Sequence, residues 1–327
     1  MFLPRPLSPP FPARTGPWKA SPKKTESNCW ITSTGFWIIS GRTPGNLMPE
    51  PQSRFLKCQG RNIHFLEWGD PARDTVVIWH GVTGTCCDHE ELAARLARDY
   101  HVICPDSIGC GLSDWAHDKK RDPGLTAYAE MARDLLGQLG LSRVRWIGAS
   151  KGGGLGLVLA ATMTDCVISH LILDDVGPGF PEWLRQAAMK NIASPPHFDS
   201  FTKFETYLKE MLTRGGLVLD DKRWRHLSET WCRQNDDGLF TFQNDPALAN
   251  QFSLHGQDFD LWHHYDRITA RTLLIRAKKS IVPDHEVDMM ITRGPKCKVH
   301  QRDGGHISLL HKPALQKVIM DFLKSGE

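Results

Sequence analysis

Residues 144–157 read VRWIGASKGGGLGL. Residues 144–147 form a short, largely apolar run with β-branched ends, which suits a buried strand. Gly148-Ala149-Ser150-Lys151-Gly152 follows, and the chain then enters a small-residue, Leu-rich helical pattern. This is G-x-S-x-G in a strand–turn–helix context. So sharp a turn requires that the residues two before and two after the serine nearly lack side chains. Gly148 and Gly152 meet that demand, and the strained turn lifts the Ser150 hydroxyl clear of the sheet edge. The helix that follows aims its first N–H groups at the serine. An inert serine in a Gly-rich turn would use the same letters, so the rest of the chain has to decide.

The bulk composition narrows the field. A chain of 327 residues with 40% hydrophobic content can build one large α/β domain with an insertion. The net charge is +3, and no basic stripe interleaved with aromatics appears, which argues against a nucleic-acid partner. No run of about 18 apolar residues exists to span a membrane. The nine cysteines are scattered without a C-x-x-C, so neither a zinc site nor a disulfide framework is indicated. A reducing cytoplasm is the expected location.

Outward from the serine, strands and helices alternate. Residues 54–58 and 62–67 read as two strands joined by a Gly-containing turn. Residues 75–79 (TVVIW) are a continuous apolar strand, ending in His80-Gly81-Val82-Thr83-Gly84. A helix over 88–97, a strand at 102–104 ending in Pro105-Asp106, and an amphipathic helix over 126–139 precede the serine turn. A strand over 170–173 then closes in Asp174-Asp175-Val176-Gly177-Pro178. The alternation implies a mostly parallel, doubly wound sheet. It stops near Gly179. Residues 180–265 carry helical patterns rich in Trp, Phe and His, such as 204–212 and 221–232. The strand–helix rhythm returns with 272–275, a helix from Asp284, a strand at 298–300 and a last helix over 313–323. The middle segment is expected to lie over the carboxyl ends of the strands, where open α/β sheets bind ligands. Residues 1–50 differ in kind: rich in Pro, Ser, Thr and Trp, nearly free of acidic residues and without periodicity, they read as a disordered extension. Met48 directly precedes the first globular-looking sequence, so residues 1–47 are expected to be dispensable.

Five motifs in this order resemble the α/β-hydrolase fold family, in its capped serine esterase-like subgroup. TVVIWHG resembles the strand and His-Gly turn of the oxyanion hole, and CPDSIGCGLSD resembles the family's P-D-x-x-G-x-G-x-S stretch. GASKG matches the nucleophile elbow, LILDDVGP a sixth-strand ending, and DGGHISLLHKP the loop carrying the late catalytic histidine. The resemblance runs from about residue 54 to the end of the chain. It implies an eight-stranded sheet divided as 51–179 and 266–327, with a helical cap over 180–265 inserted after the sixth strand.

It also implies roles. A serine hydroxyl needs a base beside it, and His306, flanked by Gly304 and Gly305, is the matching candidate. His311 is its nearest rival. His80 sits close to the oxyanion turn and is expected to brace it. Val82 and Lys151 would supply oxyanion N–H donors. Lys151 is unusual, because the family more often has Met, Gln or His there; its side chain either folds outward or brings charge to the acyl pocket. The acid departs from the family pattern. The position after the seventh strand holds Ser280, which cannot hold the imidazole tautomer as a carboxylate does. Asp175, at the end of the sixth strand, is the preferred acid, with Asp174 and Asp284 as alternatives; strand alternation sends Asp174 and Asp175 to opposite faces. The expected activity is cleavage of a small-molecule carboxylic ester through an acyl-enzyme, without cofactor or metal. Trp183, Phe201, Phe204, Trp224 and Trp231 are candidates to set acyl size, although most are expected simply to pack the cap. C–C bond, lactone or amide hydrolysis on the same fold, or a non-catalytic small-molecule receptor, are the alternatives.

Overall fold

The computed structural model describes residues 49–326 and two short segments, Cys29–Ile31 and Trp37–Ile39. The chain divides between Leu47 and Met48 into two compact units. In the first, the two segments pair as antiparallel three-residue strands, which the sequence did not suggest. The expectation of a disordered leader otherwise lies outside the described residues.

The second unit is built on one sheet. Its strands are β1 (Gln52–Cys58), β2 (Arg61–Trp68), β3 (Thr75–Trp79), β4 (His101–Pro105), β5 (Arg143–Ala149), β6 (Val167–Asp174), β7 (Arg271–Lys279) and β8 (Lys298–Gly305). They lie in the order β1-β2-β4-β3-β5-β6-β7-β8. The β1–β2 and β2–β4 pairs are antiparallel. All other neighbours are parallel. β3 and β4 are buried along their whole length, which is why they read as unbroken apolar runs rather than as alternating ones.

Helices cover both faces. α1 (Glu90–Leu96) and α10 (Pro313–Leu323) pack on one side, where Leu92, Leu96, Ile319 and Leu323 meet Val76, Ile147 and Ile275. α2 (Leu125–Gln138) and α3 (Lys151–Thr162) pack on the other, where Leu135, Leu155 and Leu159 meet Val77, Trp146 and Leu171. Between β6 and β7 the chain forms α4 (Glu182–Ala193), α5 (Phe201–Arg214), α6 (Asp221–Trp231), α7 (Asn250–Leu254) and α8 (Trp262–Tyr265). α9 (Asp284–Thr292) follows β7. A two-stranded ribbon, Cys232–Gln234 with Phe240–Phe242, sits among the inserted helices. The insertion leaves and rejoins the sheet at a closed neck: Gly179 bridges Asp260, and the Leu261 N–H donates to the Pro178 carbonyl at 2.7 Å. Tyr265, inside the span read as cap, therefore packs in the core of the sheet.

The parallel register levels the strand ends. Trp79 pairs with Gly148, Ala149 with Asp174, and Asp174 with Ile275. The residues just past β3, β5, β6 and β8 thus emerge along one edge. The strand order reverses between β3 and β5, the usual place for a ligand crevice in an open sheet.

Candidate active site

The turn between β5 and α3 carries Ser150 at φ 48°, ψ −117°, a left-handed conformation that costs a non-glycine residue of order 1–3 kcal/mol. The flanking glycines permit it. A Cβ on Gly152 would lie 2.3 Å from the Trp79 carbonyl oxygen, and one on Gly148 would lie 2.3 Å from the Gly152 carbonyl oxygen. The Trp146 indole N–H donates to that same Gly152 carbonyl at 3.0 Å, fixing the turn from below. Trp146 also stacks on Trp79 with ring centroids 5.2 Å apart, so β3 and β5 are held together beneath the serine.

His306 follows β8. The positive φ of Gly304, 94°, turns the chain toward the elbow. His306 Nε2 lies 3.1 Å from Ser150 Oγ, and His306 Nδ1 lies 3.0 Å from Asp175 Oδ2. A carboxylate can only accept, so Nδ1 carries the proton and Nε2 is left to accept from the serine.

Asp175 is fully buried. Its Oδ1 accepts from the Ala277 N–H at 2.8 Å and the Ser280 hydroxyl at 2.6 Å, and its Oδ2 from the Ile281 N–H at 3.3 Å as well as from His306. Burial alone would raise its pKa. The hydrogen bonds from His306, Ser280 and Ala277 outweigh that and hold the carboxyl below its usual range. Ser280, which stands where the family's usual acid would be, thus hydrogen-bonds the carboxylate on the neighbouring strand end.

The two alternative acids lie elsewhere. Asp174 turns to the opposite side and binds Arg302 Nε at 2.9 Å. Burial pushes its carboxyl up to about 6 despite that partner. Arg302 in turn donates to the Gly305 and His306 carbonyls at 2.7 and 2.9 Å, clamping the histidine loop. Asp284, exposed at the start of α9, pairs with Arg276 at 2.6 Å and does not reach the imidazole. The pairing of Arg302 with Asp174, and the role of Ser280 as a donor to Asp175, are not visible in the sequence, since each joins residues more than 100 positions apart.

A cavity of about 140 Å³ opens on the serine. Ser150, His306, Val82 and Lys151 line it, with a largely apolar wall that includes Phe180, Leu184, Ala188, Phe252, Phe259 and Leu261. The five aromatics read from the sequence as acyl-sizing candidates are not among its lining. Phe204, Trp224 and Trp231 form the insertion's own core with Leu309, Phe201 packs its ring against Phe204, and Trp183 is 67% exposed. Val82 belongs to the turn after β3; at neighbouring Gly81 a Cβ would stand 3.5 Å from the Ser150 Cβ. Lys151 begins α3, where the first backbone N–H groups have no acceptor within the helix.

His80 braces this turn: Nδ1 donates to the Gly81 carbonyl at 2.5 Å and Nε2 accepts from the Ser107 N–H at 2.9 Å. Burial pushes its pKa down. His311 does not line the cavity. His64, Cys86 and Asp106 cluster tightly in the interior. Their groups are engaged by hydrogen bonds: Asp106 Oδ2 meets His64 Nδ1 at 2.7 Å and the Leu112 N–H at 3.0 Å, Oδ1 accepts from the Cys86 N–H at 2.7 Å, and His64 Nε2 meets Ser53 Oγ at 2.9 Å. The cluster fixes the loop after β4.

Known relatives share this sheet order and elbow region. Residues 76–315 match the profile of the alpha/beta hydrolase family, and the chain belongs to that family. It is 29% identical over 280 residues to the 3-hydroxybutyrate-oligomer hydrolase of Cupriavidus necator, covering 81% of this chain and 94% of that one. Among solved structures it resembles an alpha/beta hydrolase from Novosphingobium aromaticivorans, with a TM-score of 0.76, 27% identity, and coverage of 85% of this chain and 99% of that one. An esterase from Mycobacterium tuberculosis shares the fold at a TM-score of 0.68 and 22% identity, covering 86% of this chain and 94% of that one. Among the described residues no helix is long and apolar enough to cross a membrane.

Proposed function

We propose that the protein is a serine hydrolase that cleaves carboxylic esters of short acyl chains through an acyl-enzyme. The observation that carries this reading is the unbroken hydrogen-bond chain from Asp175 through His306 to Ser150, ending at a largely apolar cavity. Ser150 Oγ adds to the ester carbonyl while His306 Nε2 takes its proton. Asp175 stays ionised and stabilises the imidazolium. The N–H groups of Lys151 and Val82 hold the developing oxyanion, each donor being worth about 2.7–4 kcal/mol in comparable sites. His306 then protonates the departing alkoxide. Water, deprotonated by the same imidazole, releases the acid and restores the serine. The Cupriavidus necator relative acts on oligomers whose units are joined by esters, which supports the same bond class here. A cavity of about 140 Å³ is close to the ~150 Å³ that accommodates benzene, so acyl chains of roughly four to six carbons fit. The eight cysteines from Cys58 to Cys297 are free thiols, which suits a reducing cytoplasm.

A ladder of p-nitrophenyl esters tests this. We expect kcat/KM to peak near four to six acyl carbons, and Ser150→Ala to lower kcat by roughly 10⁴-fold or more. A Ser150→Ala variant that keeps the wild-type rate would dismiss the mechanism, and a peak at twelve carbons would dismiss the size assignment.

A further inference from the structure

Lys151, one of the residues lining the cavity, has a side chain that the proposed chemistry does not use. The catalytic scheme needs only the backbone of Lys151. Nζ donates to the Pro123 carbonyl at 2.7 Å and stands 3.4 Å above the centre of the Tyr128 ring. An ammonium has three donors. One meets a carbonyl, the aromatic face offers a weak second contact, and no carboxylate lies within ion-pair distance among the described residues. The nearest acid on the wall is Asp258, and it is already committed. Its Oδ2 accepts from the Leu125 N–H at 2.8 Å and from Gln251 Nε2 at 3.0 Å, capping the start of α2. Burial pushes the ammonium down to about 7, outweighing the opposing influence of Cys110 and Asp258. That is the signature of a charge enclosed without a counter-ion. A neutral side chain of similar length would occupy the same place without that cost.

An anion entering the cavity would supply the missing partner. The cavity is small, and Ser150 and Lys151 both line it, so one short ligand spans the distance between them. We infer that Lys151 recognises a carboxylate at the far end of the acyl group, and that the preferred substrates are half-esters of short dicarboxylic acids. The inference rests on the serine-hydrolase reading above and adds a substrate class to it. The ester end meets Ser150 and the oxyanion donors, while the free carboxylate accepts from the unused Nζ donors as a charge-assisted hydrogen bond. An alkyl chain of the same length would leave those donors unpaired and would bind less well.

Two measurements on the full-length chain test it. The first compares hydrolysis of monomethyl glutarate with methyl pentanoate, in the wild type, Lys151→Met and Lys151→Arg. We expect the wild type to favour the half-ester by about tenfold or more in kcat/KM, Lys151→Met to bring the ratio to near one, and Lys151→Arg to retain a preference. The second measures binding of the free acids, glutarate and pentanoate, by calorimetry, which needs neither turnover nor a folded variant. Glutarate should bind wild type about tenfold more tightly. Equal binding of the two acids, or an undiminished half-ester preference in folded Lys151→Met, would overturn the inference. Failure of the wild type to hydrolyse either ester would instead count against the serine-hydrolase reading, and the calorimetric comparison would still judge Lys151.

Discussion

At the imidazole, two strand ends contribute to one hydrogen-bond network. Asp175 comes from the end of β6, and Ser280 from the loop after β7 donates to it at 2.6 Å. Asp175→Asn should lower kcat about 10⁴-fold with little change in melting temperature, because the amide favours the wrong imidazole tautomer. Asp174→Ala should do the reverse. It leaves the buried Arg302 guanidinium without its carboxylate, a loss of about 3–5 kcal/mol that a denaturant titration would register. Ser280→Ala removes one hydrogen bond to a charged group, worth about 1.5–3 kcal/mol, and should slow turnover by roughly tenfold or more. If Asp174 and Asp175 variants behave alike, the division of labour between the two neighbours is wrong. Ser150, His306 and the Asp174-Asp175 pair are legible as candidates in the sequence because G-x-S-x-G, G-G-H and D-D-V-G-P are local signals. The choice between the two aspartates is less so. Alternation sends them to opposite faces, but only the fold shows which face the histidine occupies. Ser280 reads as a defect in the sequence and as a hydrogen-bond donor in three dimensions.

The sheet is legible from apolar runs, and its strands extend only a few residues beyond the sequence-read spans. The insertion is harder. α4 buries only Ile192 and so has almost no apolar stripe to read, and the ribbon strands are three residues each. Contacts from α6 are among those that tie the insertion to the sheet domain. The Trp231 indole N–H donates to Asp88 Oδ1 at 2.7 Å, and Arg223 holds Glu91 at 2.7 and 2.8 Å. Burial pushes the Asp88 carboxyl up to about 7, against the hydrogen bond from Trp231. A carboxyl whose folded pKa is raised contributes stability that is complete below its unfolded value and disappears as pH climbs through about 7. Wild type should therefore lose stability relative to Asp88→Asn between pH 5 and pH 8. Thermal melts of both proteins across that range check the sign; a constant gap would show that Asp88 does not titrate there. At the elbow, Gly152→Ala would press a methyl to 2.3 Å from the Trp79 carbonyl. It should destabilise the fold by about 1–3 kcal/mol or more and abolish turnover, with activity and denaturant midpoint as the readouts.

On the scale of the whole molecule, the compact unit Met48–Glu327 holds the sheet, both helical layers and all the site residues. Removing residues 1–47 should leave kcat and the melting temperature unchanged within error, and a large loss of either would show that the N-terminal segment contributes to the folded body. The boundary between the two parts is visible in composition alone, where acid-poor, Pro-rich sequence gives way to alternating strands. The cavity is not visible at that level. Its aromatic lining comes from Phe180, Phe252 and Phe259 rather than from the tryptophans, because the large side chains of α5 and α6 fill the insertion's own interior. The central claim is that Ser150 is an activated nucleophile served by His306 and Asp175. Reaction with a fluorophosphonate probe, followed by peptide mass mapping, tests it most directly. A single adduct on Ser150 that is lost in His306→Ala and strongly slowed in Asp175→Asn is the predicted result. An unlabelled wild type, or labelling indifferent to His306, would contradict it.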